Sequence, residues 1–260
     1  MHSVIDVSEN QGKIDWSKVK IDAAIIRIGY RGYGNAGTLV TDKQFKANMD
    51  GATKYKIPIG VYWFSTAVSD DEATQEVRYV LNLLKPYKIT LPVYLDSEDA
   101  SPGVTDNRLD KLNKTRLTQY GLTFCRGIKA AGYTPGLYCS ESWFTSRLDG
   151  EAFRAMGCSI WMAKYSSTSP KYKHDAWQYT SSGTMSGISG RVDFSYFYTN
   201  YLEDNMKFTD VPSNHWAYNY IDKVSDAGIM VGLGDGKFAP DQPITRAQMA
   251  KILVEAGIVK

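Results

Sequence analysis

The chain has 260 residues, 43% hydrophobic and 22% charged, which is more length than one average domain needs and enough apolar material for a full core. A formal net charge of +2 is too small to point to nucleic acid or an anionic membrane surface, and no run of about 18 apolar residues offers a membrane span. The three cysteines, Cys125, Cys139 and Cys158, are odd in number and lack metal-ligand spacing, so free thiols are expected, with a Cys139–Cys158 bridge as the alternative should their segments be neighbours.

After Met1 the chain reads HSVIDVSENQG, with neither a basic n-region nor an apolar h-region, so synthesis in the cytoplasm without a signal peptide is expected. Short apolar segments bounded by Gly, Pro, Ser or Asp follow at residues 3–7, 23–29, 59–64, 91–95, 134–138, 159–163, 176–179 and 191–194, the pattern of buried parallel strands. Ser69 stands three residues before Glu72, a capping box that opens a helix through Leu84. Further helices are read at about 106–131 and about 141–156, whereas the last three strands lie too close together to hold helices between them. This alternation predicts an α/β fold: an irregular TIM-like β/α barrel of about eight strands, the last ones lacking helices, followed by a small helical module. The barrel is assigned to 1–202, a polar linker to 203–207 and the module to 208–260. In the module, residues 215–227 place Trp216, Tyr220, Ile221 and Val224 on one helical face with Gly228 as a C-cap. Thr245 and Gln248 form a second capping box, opening a helix that turns Met249, Ile252 and Leu253 inward. A module of about 50 residues buries too little surface to stand comfortably alone and is expected to pack on something.

Four carboxylates, Asp6, Asp96, Glu98 and Asp193, each fall at or just past the C-terminal end of a candidate strand. In a parallel barrel those ends make one rim, where active sites are built. Asp96 and Glu98 are two residues apart, so while the chain stays extended their side chains point the same way. Two acids held close cannot both ionise freely, and the less solvated one keeps its proton to higher pH. A glycosidase needs that arrangement, one acid protonated and one ionised. Any one of these residues could equally be a turn former or helix N-cap, but four on one rim favour chemistry. The three histidines, His2, His174 and His215, have no spacing suited to zinc, and no nucleophile elbow supports a Ser-His-Asp set. Gly232-x-Gly234-x-Gly236 lacks the preceding strand of a βαβ unit and reads as a turn. No metal and no cofactor are expected. The 18 Tyr and 6 Trp suit a groove that stacks on sugar rings, and equally a Tyr-rich core.

Several segments, in order, carry a resemblance: Asp6-Val7-Ser8 with Gln11-Gly12 and Ile14-Asp15-Trp16, Arg27-Ile28-Gly29-Tyr30, Gly60-Val61-Tyr62-Trp63-Phe64, Leu95-Asp96-Ser97-Glu98, Ile160-Trp161-Met162-Ala163-Lys164-Tyr165, Trp177-Gln178-Tyr179 and Val192-Asp193. Over about the first 200 residues the chain resembles the lysozymes of glycoside hydrolase family 25. The resemblance implies an irregular β/α barrel that hydrolyses the β-1,4 bond between N-acetylmuramic acid and N-acetylglucosamine of peptidoglycan. It implies Glu98 as general acid, Asp96 as the acid that assists the reacting sugar, and Asp6 and Asp193 as supporting acids. Tyr62, Trp161 and Trp177 fall where the family lines its groove with aromatics. Glu9-Asn10 departs from the His or aromatic residue that many members carry in the first loop.

The C-terminal segments Phe208-Thr209-Asp210-Val211, Trp216-Ala217, Gly228-Ile229, Asp235-Gly236-Lys237-Phe238-Ala239-Pro240 and Ile244-Thr245-Arg246-Ala247-Gln248 resemble a single surface-layer homology repeat. That resemblance implies binding of a secondary cell-wall polymer, with Arg246 and Trp216 at ligand positions. An Arg at a helix N-terminus offers an acidic ketal both a fork of donors and a favourable dipole. Relatives usually carry three repeats, so either three chains associate as a homotrimer or the module packs on its own catalytic domain. The expected protein is a phage endolysin or bacterial autolysin that acts on peptidoglycan at the cell wall. A barrel kept only for wall binding, and a glycosidase acting on chitin or another N-acetylated polymer, are the alternatives.

Overall fold

Side chains along the strands of the first unit alternate between helices on one side and the inside of a barrel on the other. The strands are β1 (His2–Val7), β2 (Ala23–Arg31), β3 (Leu39–Thr41), β4 (Ile59–Phe64), β5 (Val93–Asp96), β6 (Pro135–Ser140), β7 (Ser159–Ala163), β8 (Ala176–Gly183) and β9 (Val192–Phe197). The computed structural model describes residues 1–99, 107–199, 201, 208–211 and 215–259, and the chain divides into two units, Met1–Asn200 and Tyr201–Lys260. The linker assigned to 203–207 lies outside the described residues. Strand order β1-β9-β8-β7-β6-β5-β4-β2 closes through a β1–β2 pairing into an eight-stranded barrel, and β3 adds to the outside of β2. Pairings from β1 through β8 around the barrel are parallel, but β9 runs antiparallel to both of its neighbours. The expected irregular α/β barrel is therefore the fold, with β3 as an element the sequence reading missed.

Helices α1 (Phe45–Lys54), α2 (Asp70–Leu84) and α3 (Lys114–Ala130) bury Phe45, Met49, Val80 and Phe124 against Ile5, Ile26, Val61, Leu95, Leu137 and Ile160 of the strands. The intervening strand residues, among them Asp6, Arg27, Tyr62, Asp96, Tyr138, Trp161 and Gln178, face the barrel interior and its rim. Gly136 makes room there, since a Cβ would lie 2.2 Å from the Tyr94 ring. The helix expected at 106–131 begins at Lys114, capped by the side chain of Asn113, after a short 3-10 turn at Arg108–Lys111; Asp106 lies outside the described residues. The helix expected at 141–156 is two short ones, α4 (Trp143–Ser146) and α5 (Gly150–Met156), folded so closely that a Cβ on Gly150 would lie 2.2 Å from the Phe144 ring. Cys125, Cys139 and Cys158 are free and buried, so the alternative Cys139–Cys158 bridge is not formed.

Ser69 caps α2 by accepting from the Glu72 N–H, but Glu72 does not complete the box. Its carboxylate instead accepts from the Val68 N–H at 2.9 Å and meets Arg108 at 2.6 Å, a stronger, charge-assisted partner. Deeper along α2, Glu76 is buried against Arg31 of β2 at 2.8 Å and accepts from the Ser65 hydroxyl at 2.7 Å. Burial pushes its carboxyl up to about 7 even though Ser65 and Arg31 favour the charged form. The remaining Arg31 N–H groups donate to the carbonyls of Gly37 and Glu72. Removing one partner of a buried pair leaves the other charge uncompensated. Glu76→Ala is expected to lower stability by about 3 kcal/mol, read as a lower midpoint in urea unfolding. An unchanged midpoint would show that the pair adds nothing.

The second unit has a small core of Phe208, Val211, Ala217 and Ile221, with Tyr218 and Phe238 against it. Asp210 closes the unit by accepting from the N–H groups of Phe238 and Ala239 at 2.9 and 2.8 Å. Helix α6 (Tyr218–Asp226) ends before Gly228, whose φ of 70° suits glycine. Its inward face differs from the expected one: Ile221 is buried, while Trp216 and Tyr220 are 80% and 68% exposed. Helix α7 (Arg246–Glu255) opens with the expected Thr245–Gln248 capping box. It buries none of its residues, and Met249, expected to face inward, is 44% exposed. So short a segment has too few apolar partners to cover both helices. Among the described residues, no helix is long and apolar enough to cross a membrane.

Candidate active site

The C-terminal ends of β1, β4, β5, β6 and β7 surround a cavity of about 500 Å³ that is lined by Asp6, Asp96, Glu98 and Asp193. Asp6 and Asp96 are the inward residues at or near the ends of β1 and β5, and Glu98 follows Asp96 by two. Asp193 reaches the same rim by a route other than the expected one. It is the second residue of β9, and because that strand is reversed its N-terminal end lies beside the C-terminal end of β1, with Asp193 directly opposite Asp6.

Four acids around one small cavity raise one another's proton affinity. Burial, then the charges of Asp193 and Asp99, push Glu98 up to about 7. Asp96 is driven upward by burial, by Glu98 and by Asp6, with Arg27 pulling the other way. One buried oxygen of Asp96, Oδ1, takes no hydrogen bond from any described residue. Burial and Asp193 raise Asp6, while Gln178 draws it down; Asp193 is raised by burial and stabilised as an anion by a hydrogen bond from Asp6. Glu98 therefore holds its proton into the neutral range, as acid catalysis at that pH requires.

Among the described residues, Arg27 is the only cation that lines the cavity; its Nε and Nη2 donate to Asp42 at 2.6 Å and Glu9 at 3.0 Å. The departing loop residue Glu9 is thus tied to the rim by an ion pair. Tyr62 and Trp161 line the cavity, Tyr62 half-buried and Trp161 1% exposed, with its indole N–H donating to Ser195 at 3.0 Å. Trp177 does not line it. As the residue before the inward Gln178 it faces outward, packs on Tyr179 and Tyr196, and donates its N–H to the Lys164 carbonyl. Sequence reasoning passed over Arg27, Tyr138, Tyr165 and Gln178 as site residues. The signal available was their inward parity on strands whose neighbours carry the acids. In the second unit, Arg246 is the first residue of α7 and is exposed, as is Trp216.

Comparison with known proteins gives two matches along the chain. The family model for glycosyl hydrolases family 25 matches residues 5–188, and that for the S-layer homology domain matches residues 207–250. Lysozyme M1 of Streptomyces globisporus is 27% identical over 201 residues, covering 74% of this chain and 66% of that protein. The modular autolysin LytC of Streptococcus pneumoniae superposes with a TM-score of 0.65 at 27% identity, over 75% of this chain and 46% of that one. Outer membrane protein alpha of Thermotoga maritima is 49% identical over 43 residues, 16% of this chain and 11% of that protein. The chain thus spans only part of these relatives.

Proposed function

The chain belongs to family 25 of the glycosyl hydrolases, and on that premise we propose that it is a lysozyme that cuts the β-1,4 bond between N-acetylmuramic acid and N-acetylglucosamine in peptidoglycan. The carrying observation is a protonatable Glu98, near 7, in one cavity with the buried Asp96. Glu98 donates its proton to the glycosidic oxygen as the bond breaks, and Asp96 faces the sugar on which positive charge develops. Asp6 and Asp193 are supporting acids that keep Glu98 protonated. Tyr62 and Trp161 shape the sugar groove, while Trp177 supports it from outside. Mass spectrometry of fragments released from purified walls tests this reading. New reducing ends on N-acetylmuramic acid are expected; new ends on N-acetylglucosamine, or equal cleavage of chitin, would overturn it.

The second unit anchors the enzyme to a secondary polymer of the cell wall, with Arg246 and Trp216 as the contact residues. Both are exposed, and an arginine at a helix N-terminus suits an anionic group. The uncovered apolar side chains of α7 support association of three chains through this unit, which would close the interfaces around a threefold axis. Sedimentation equilibrium on the full chain is expected to give a trimer at micromolar concentration. A monomer there would remove the trimer, and unchanged wall pull-down by Arg246→Ala would remove the ligand role.

A further inference from the structure

Gln178 is 2% exposed, and its side chain makes three hydrogen bonds. Its Oε1 accepts from the hydroxyls of Tyr138 at 2.8 Å and Tyr165 at 2.9 Å, and its Nε2 donates to Asp6 Oδ2 at 2.9 Å. The chemistry of these groups gives the chain a direction. Two phenol O–H groups committed to the amide oxygen leave only the amide nitrogen to face Asp6. Asp6 Oδ2 is thereby held as an acceptor, so the proton that Asp6 shares with Asp193 sits on the other Asp6 oxygen, from which it donates to the Asp193 carboxylate opposite and holds it as an anion.

We propose that Gln178 is a positioning residue for the reaction: its amide, oriented by Tyr138 and Tyr165, fixes which oxygen of the Asp6–Asp193 pair carries the shared proton and thereby keeps one negative charge beside Glu98. This rests on Glu98 being the proton donor. Glu98 responds because, after burial, the charge of Asp193 does most to raise it, with Asp99 next. The other groups facing the pair are Arg27 from β2, Tyr62 from β4 and Asp96 from β5. Arg27 is already committed to Glu9 and Asp42. No hydrogen bond to Asp6 comes from those three groups, whereas Gln178 touches it directly.

The test is the high-pH limb of kcat/KM for wall clearing by the full chain, in the parent, Gln178→Met and Tyr165→Phe. Methionine fills similar volume but donates nothing, so neither Asp6 oxygen is reserved as the acceptor, the Asp6 O–H is no longer held on Asp193, that carboxylate is less well stabilised as an anion, and Glu98 loses its proton sooner. The limb is expected to move to lower pH by about half a unit or more. Tyr165→Phe removes one of the two O–H groups that orient the amide and should move the limb the same way by less. Tyr165 is 58% exposed, so this variant keeps the fold and decides alone if Gln178→Met does not fold. A purely structural glutamine would lower rate or stability and leave the limb in place. Limbs within about 0.2 units of the parent, or displaced to higher pH as an amide turned the other way would require, overturn the proposal. Failure of the parent to release muramic-acid ends would instead sink the proposed function.

Discussion

Glu98→Gln is expected to lower kcat by about 10²–10⁴ while leaving fold and wall binding intact, because general acid help of this kind contributes that much. Glutamine keeps the shape and the hydrogen-bonding capacity but has no proton to give. The pH dependence follows from the same group. Glu98 works protonated, its carboxyl is pushed up to about 7, and kcat/KM of the parent should therefore fall as pH rises through about 7. Stability carries the matching sign. A carboxyl raised in the folded state contributes stability that is full below its ordinary value of 4.5 and lost as pH rises through about 7. Glu98→Gln removes that loss, so at pH about 8 the variant should be no less stable than the parent although nearly inactive. Near-normal turnover of the variant, measured by loss of wall turbidity, would end the assignment.

Asp96→Asn is expected to cut kcat by about 10²–10³ with little change in KM. Its Oδ1 is buried and takes no hydrogen bond from the described residues, a costly state for a carboxylate oxygen. The cost is offset only when something in the cavity meets that oxygen, either a substrate donor or the positive charge that develops at the sugar. Asparagine keeps the volume but loses the charge, so the deficit should appear in the transition state and not in ground-state binding. Steady-state kinetics on soluble glycan fragments separates the two. A raised KM with unchanged kcat would make Asp96 a binding residue and remove the electrostatic role.

The positions of β1, β4 and β7, the caps at Ser69 and Thr245, and the coincidence of acids at strand ends were legible in the sequence because they depend on near neighbours. Strand alternation and capping are properties of four to eight consecutive residues. Much of the site is of that kind too. Asp96 and Glu98 share a direction simply because an extended chain repeats every two residues. Other features needed partners distant in sequence. Nothing local says that β9 is reversed, so Asp193 was placed on the right rim for the wrong reason; only its pairing with β1 brings it opposite Asp6. Trp177 and Gln178 are adjacent in sequence, and which of them faces the cavity depends on how β8 is seated between β7 and β9. Glu72 could have closed its capping box, but Arg108, 36 residues on, competes for the same carboxylate. Likewise α6 and α7 each read as amphipathic, yet a core with four buried hydrophobic residues among those described cannot cover both, and that leaves Trp216 and Met249 exposed. Local chemistry thus determined which residues could act. The closure of the barrel decided which of them meet, because desolvation and charge coupling among Asp6, Asp96, Glu98 and Asp193 exist only once distant strands have brought them around one cavity.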